Sequence, residues 1–180
     1  MHVKKITVLI FFSITFWLYA KEPLPRGYKN IILGLSLDET KQELIKNSDF
    51  GYHGDRDVSL RPNDNQVIIE TDATNGYGSI FLTQCWFQFY EKELYTLTIN
   101  MNPEKLDYYS VFTTLKNKYG EPESFSPTQA KWSDDSVTML LEKPLSLKYI
   151  DNKTQKELQN YSNIQKSSAE VTKEMFLGEL

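Results

Sequence analysis

Residues 79–101 constrain the fold more tightly than any other stretch. From Ser79 to Tyr90 the chain alternates, with Phe81, Thr83, Cys85, Phe87 and Phe89 on one side and Ile80, Leu82, Gln84, Trp86 and Gln88 on the other. Successive side chains of a strand point to opposite faces, so this pattern reads as a long β-strand. Glu91-Lys92-Glu93 makes a tight turn, and Leu94 to Met101 alternates again, with Tyr95, Leu97, Ile99 and Met101 inward and Thr96, Thr98 and Asn100 outward. A turn that short permits only antiparallel pairing. Both faces of the first strand carry apolar residues, which predicts a central strand with one face fully buried.

The remaining elements arrange themselves around this pair. Tyr28 to Leu33 is a plausible first strand. A helix over 37–46 follows, with Ser36 and Glu39 in the spacing of a capping box, Leu37, Leu44 and Ile45 on one face, and Asn47 as its end. Val58–Leu60 and Gln66–Asp72 read as strands separated by the turn residues Pro62-Asn63-Asp64-Asn65, and Asn75-Gly76 signals another turn. Tyr108, Val111, Phe112, Leu115 and Tyr119 recur on one stripe of a second helix over 108–119, capped by Asp107 and stopped by Gly120 and Pro122. Strands then read from Lys131-Trp132 into Val137–Leu141 and from Leu145 to Ile150. Residues 152–180 are polar and partly helical, with Leu158, Tyr161 and Ile164 as an apolar stripe and a second capping box at Ser167 and Glu170. The fold class is therefore α+β: an antiparallel sheet with two helices packed on it and a C-terminal helical segment. Strand, helix and antiparallel strands occur over 28–101 and again from about 94 to 150, a duplication of architecture rather than of sequence.

The N-terminus carries an address. Lys4 and Lys5 precede an apolar run from Ile6 to Trp17, and Leu18-Tyr19-Ala20 leads into polar Lys21-Glu22-Pro23. Charged, apolar and small regions in that order are the pattern of a secretory signal peptide, and the run is shorter than the ~20 residues a spanning helix needs. The expected organisation is a signal peptide over 1–20, one domain over 21–150 and the polar segment 151–180, with a periplasmic or secreted location. The alternative is membrane anchoring through an uncleaved N-terminal segment. Losing Lys4 and Lys5 would take the net charge from −4 to −6. Such a chain repels phosphate backbones, so nucleic acid is excluded as a partner class. Cys85 is the sole cysteine, so no intramolecular disulfide is available and packing alone must hold the domain together.

The string Gly34-Leu35-Ser36-Leu37-Asp38-Glu39, followed by Leu44, resembles the opening of small bacterial envelope proteins of the BamE/SmpA type, in which a Gly-Met/Leu-Ser/Thr start leads a helix ending in Leu-Gly-x-Pro. Here that ending is missing from the first helix, and Tyr119-Gly120-Glu121-Pro122 follows the second. No cysteine for lipid attachment follows the apolar run. The resemblance covers about a dozen residues and implies a non-catalytic scaffold that helps to assemble outer-membrane proteins.

Several groups invite a chemical reading. His53, Asp55 and Asp57 cluster in one loop with Arg56, and a metal ion could use them; a solvated loop is the simpler expectation. Cys85 could act as a nucleophile with His53 as its base, but its place among phenylalanines points to an inert core thiol. Asp134-Asp135 and Glu121/Glu123 are the paired carboxylates a hydrolase would use, and both pairs adjoin turn residues. No catalytic residue, metal ligand or cofactor is therefore expected. The expected ligand-binding residues are Trp86, Ile80 and Leu82, which strict alternation would place together on the outer face of strand 79–90. The competing expectation is that the C-terminal segment covers that face through Leu158, Tyr161 and Ile164. The leading functional reading is an exported, non-enzymatic binding or assembly module of the bacterial cell envelope, its partner another envelope protein. An exported hydrolase using turn carboxylates and a secreted host-interaction protein stand as alternatives.

Overall fold

The computed structural model describes residues 22–60, 66–74 and 78–178, with side chains at all of these except 164–172. The leader 1–20, the turns at 62–65 and 75–76 and the side chains of Ile164, Ser167 and Glu170 lie outside that description.

The segment read as one strand over Tyr28–Leu33 is a minimal hairpin. β1 (Gly27–Tyr28) pairs with β2 (Ile31–Ile32), and Lys29 bends the chain at a φ of 55°. The polar pair Lys29-Asn30 interrupts the alternation, and asparagine suits a turn. Ile31 and Leu33 still reach the core.

α1 (Leu37–Lys46) begins as its sequence dictates. The Ser36 hydroxyl accepts from the Glu39 N–H at 3.3 Å, and the Glu39 carboxylate accepts from the Ser36 N–H at 2.9 Å, so two otherwise orphaned donors are satisfied. The buried stripe is Thr40 and Leu44, with Leu37 half-buried. Ile45, expected on that face, is 73% exposed, because one residue beyond Leu44 is a 100° step around the helix.

β3 (Val58–Leu60), β4 (Gln66–Asp72), β5 (Leu82–Tyr90) and β6 (Glu93–Met101) form an antiparallel meander. Glu91 and Lys92 join β5 to β6 with φ of 49° and 73°, the positive values a two-residue hairpin requires. α2 (Tyr108–Tyr119) follows, capped by the Asp107 carboxylate on the Ser110 N–H at 2.9 Å. Gly120 closes it at a φ of 78° and a ψ of −170°, a conformation that favours glycine. A second meander runs through β7 (Ser124–Phe125), β8 (Gln129–Ser133), β9 (Val137–Glu142) and β10 (Ser146–Asp151). The stretch read as continuous from Lys131 to Leu141 is thus two strands joined at Asp134–Ser136. α3 (Asn152–Gly178) is one helix through Ser167 and Glu170, with no new start at the expected second capping box.

All eight strands from β3 to β10 belong to one antiparallel sheet in the order β3-β4-β5-β6-β10-β9-β8-β7. The architecture is therefore duplicated. α1 leads the meander β3–β6, α2 leads β7–β10, and the last strands of the two halves pair at the centre, Leu97 opposite Tyr149 and Thr98 opposite Lys148. The second unit starts at α2 rather than near residue 94.

Both helices lie on one face. Phe50, which follows α1, stacks edge-on against Phe87 of β5, and Phe112 of α2 lies 6.1 Å from the Trp132 ring of β8. Ile69, Phe87, Leu97, Met139 and Trp132 run across the sheet beneath them, each at most 1% exposed. This aromatic-rich layer is the core, and its removal from water is the main stabilising term.

Candidate binding face

The opposite face of the sheet carries no covering helix among the described residues. Its central row is set by strand register: Glu70, Trp86, Thr98, Lys148, Leu140 and Lys131 lie side by side across β4, β5, β6, β10, β9 and β8. The neighbouring row holds Ile68, Gln88, Thr96, Ile150, Thr138 and Ser133. The small threonines of β6 sit between bulkier side chains on β5 and β10. Thr96 and Thr98 become a floor at 5% and 3% exposure, and Trp86, Gln88, Lys148 and Ile150 stand around them, half-buried. Tyr95 and Gln155 close the remaining sides of a hollow of about 310 Å³.

Two β-bulges shape this face, and strict alternation cannot see them. Leu82 lies opposite Met101, yet Cys85 lies opposite Ile99, so Thr83 and Gln84 together oppose one residue of β6. The extra residue resets the alternation. Leu82 therefore turns inward and is 5% exposed, parting from Trp86. Ile80 precedes the strand and is 64% exposed beside a separate hollow lined by Ala73, Leu82 and Lys105. The expected trio is thus divided, and only Trp86 stands on the open face. The second bulge lies on β6, where Gln88 opposes Thr96 and Phe89 opposes Leu94. Tyr95 is the extra residue. It leaves the inward position expected for it, and its hydroxyl donates to the Gln88 side-chain oxygen at 3.4 Å on the outer side.

Among the described residues, Lys148 is the only charged group lining the hollow, and its ammonium is paired with Glu142 at 2.9 Å. Gln155 belongs to the first turn of α3, which is anchored firmly. The Asp151 carboxylate accepts from the Thr154 N–H at 2.9 Å and from Arg26 at 3.2 Å. Asn152 donates to the Asp134 carbonyl at 2.8 Å and accepts from the Thr138 hydroxyl at 2.7 Å. Beyond this turn the helix leaves the body. Leu158 is half-buried, Tyr161 is 60% exposed, and every described side chain from Gln159 onward is exposed. The described part of the expected stripe therefore does not roof the hollow.

The groups read for catalysis occupy other places. Cys85 is 1% exposed between Thr71 and Ile99, and burial pushes its thiol up to about 12. The Asp57 carboxylate accepts from the His53 N–H at 2.7 Å and lies 3.5 Å from its Nδ1, while Asp55 pairs with Lys41 at 2.8 Å. Asp134 organises the β8–β9 turn. Partial burial opposes its charge, but the Val137 and Ser136 N–H groups and the Ser136 hydroxyl outweigh that and hold its carboxyl below the usual range. Glu121 and Glu123 bond to Lys116 and Lys131. Trp132, the other candidate ring, lies in the core, and its indole N–H donates to the Gly120 carbonyl at 2.8 Å.

No curated protein and no solved structure matches this chain. The family model of the TP0088 domain matches residues 26–161, which spans both helix-led meanders and the anchored turns of α3, and the chain belongs to that family.

Proposed function

We propose that this chain is an exported, non-enzymatic binding module of the bacterial cell envelope, which takes its ligand on the open face of the eight-stranded sheet. The observation that carries this reading is the asymmetry of the sheet. α1 and α2 occupy one face, and the other presents Trp86 in a hollow ringed by amides and hydroxyls. Tryptophan and tyrosine combine large contact area with few rotors, which is why they anchor binding surfaces. Export rests on Lys4, Lys5 and the apolar run to Ala20. A non-catalytic role is supported by the engagement of Asp134 in its turn and of Glu121 and Glu123 in ion pairs, and by the burial of Cys85. The resemblance of Gly34–Glu39 to the BamE/SmpA opening supports an assembly role in the same compartment.

Site-specific photo-crosslinking in intact cells tests the choice of face. A photoreactive residue at Glu70 or Leu140, on the open face, should give adducts. The same residue at Gln42 or Asn117, on the helices, should give none. Adducts confined to the helical positions would refute the proposal.

A further inference from the structure

We propose that the hollow on the open face binds a neutral oligosaccharide, with the Trp86 ring as the stacking platform and the Gln88 and Gln155 amides reading hydroxyl groups. This deepens the reading above and depends on the open face being the binding face.

The lining chemistry selects the ligand class. Side-chain amides and hydroxyls each donate and accept, as do the hydroxyls of a sugar, and Gln88, Gln155, Tyr95 and the threonine floor supply both capacities in one hollow of about 310 Å³. Trp86 lines the same hollow, and an indole ring suits the C–H face of a pyranose. Ionic ligands are disfavoured. Among the described residues Lys148 is the sole charge in the lining and Glu142 already compensates it, so an anion would have to displace a carboxylate, and no described lining carboxylate remains to hold a cation. A wholly apolar ligand would strip water from two amides without replacing their hydrogen bonds. A peptide adding itself as a strand has no edge to join at the hollow, because β5, β6 and β10 are each paired on both sides.

The exported chain should retain two tryptophans, Trp86 and Trp132, and Trp132 is 1% exposed. A ligand-induced change in emission therefore reports Trp86. The full exported chain is titrated with cellotriose, maltotriose and chitotriose. A saturable change with at least one of them is expected, weakened about 10-fold or more in both Gln88→Leu and Gln155→Leu, whose two sites lie on different elements. Retention on washed envelope extract is measured in parallel for the wild type and Trp86→Ala. If none of the three sugars shifts the emission at about 10 mM, where even millimolar affinity registers, while Trp86→Ala still abolishes retention, the sugar assignment is overturned and the open face stands. If Trp86→Ala leaves retention unchanged, the face itself is wrong and both proposals fall.

Discussion

Cys85 shows at the scale of one residue how placement decides chemistry. A thiol at about 12 is protonated at neutral pH, and at 1% exposure reagents do not reach it, which makes it an unreactive core group. The native protein should resist thiol reagents at pH 8 and react fully once unfolded; rapid native labelling would contradict the core assignment. The same shift has a pH signature. The unfolded thiol ionises near 9 and the folded one near 12, so the unfolded state releases protons first as pH rises. The Cys85 contribution to stability should be level below about pH 9 and fall between 9 and 12, and urea titrations of the wild type should lose more over that window than those of Cys85→Ala. Tyr149, whose hydroxyl burial also raises, acts in the same direction and remains in both. Among the aromatic residues, Phe112 is half-buried whereas Trp132 is 1% exposed and hydrogen-bonded. Trp132→Ala should therefore cost about 3–5 kcal/mol and Phe112→Ala about 2–3 kcal/mol, and denaturant titration giving the reverse order would place the weight of α2 elsewhere. The Cys85 environment was legible in the sequence because its phenylalanine neighbours keep period two through residue 89. Leu82 was not, because a bulge is a property of the pairing between two strands and leaves no trace in the composition of one.

At the scale of elements, legibility followed locality. α1 and α2 fall at 37–46 and 108–119 as their caps and stripes dictate, since Ser36, Glu39, Asp107 and Gly120 act within a turn of their own positions. β7 and the split of β8 from β9 were hidden. β7 is two exposed residues paired to β8, with the Phe125 ring 5.3 Å from Phe112, and Asp134 makes its turn through its own side chain rather than through glycine or proline. α3 is the least decided element from sequence, because its stripe is weak and its anchorage lies in polar contacts of Asp151 and Asn152 that periodicity does not reveal. Those contacts make a sharp prediction. Ending the chain after Tyr161 should leave stability within about 0.5 kcal/mol of the full chain and the emission of Trp86 unmoved. Ending it after Ile150 removes Asp151 and Asn152 and should cost about 1–3 kcal/mol, read by urea denaturation. A red shift and a large loss on cutting at Tyr161 would mean that the outer half of α3 covers the open face.

At the scale of the molecule, the duplicated helix-and-meander unit explains why one face is bare. Each unit supplies one helix, both helices lie on the same side of the joined sheet, and the seam between β6 and β10 falls at the centre of the opposite face. The hollow sits on that seam, drawing Trp86 and Thr98 from one unit and Lys148 and Ile150 from the other. Sequence alternation pointed to Trp86 on an outer surface, but two of its partners, Lys148 and Ile150, come from a strand about 60 residues further along the chain, a distance over which local pattern carries no register. The central claim is that this face does the binding. Retention on washed envelope extract tests it most directly when Trp86→Ala is compared with Tyr109→Ala, since Tyr109 is 74% exposed on α2 and belongs to the helical face. The account predicts that Trp86→Ala loses retention about 10-fold or more while Tyr109→Ala keeps it; loss in Tyr109→Ala with full retention in Trp86→Ala would contradict it.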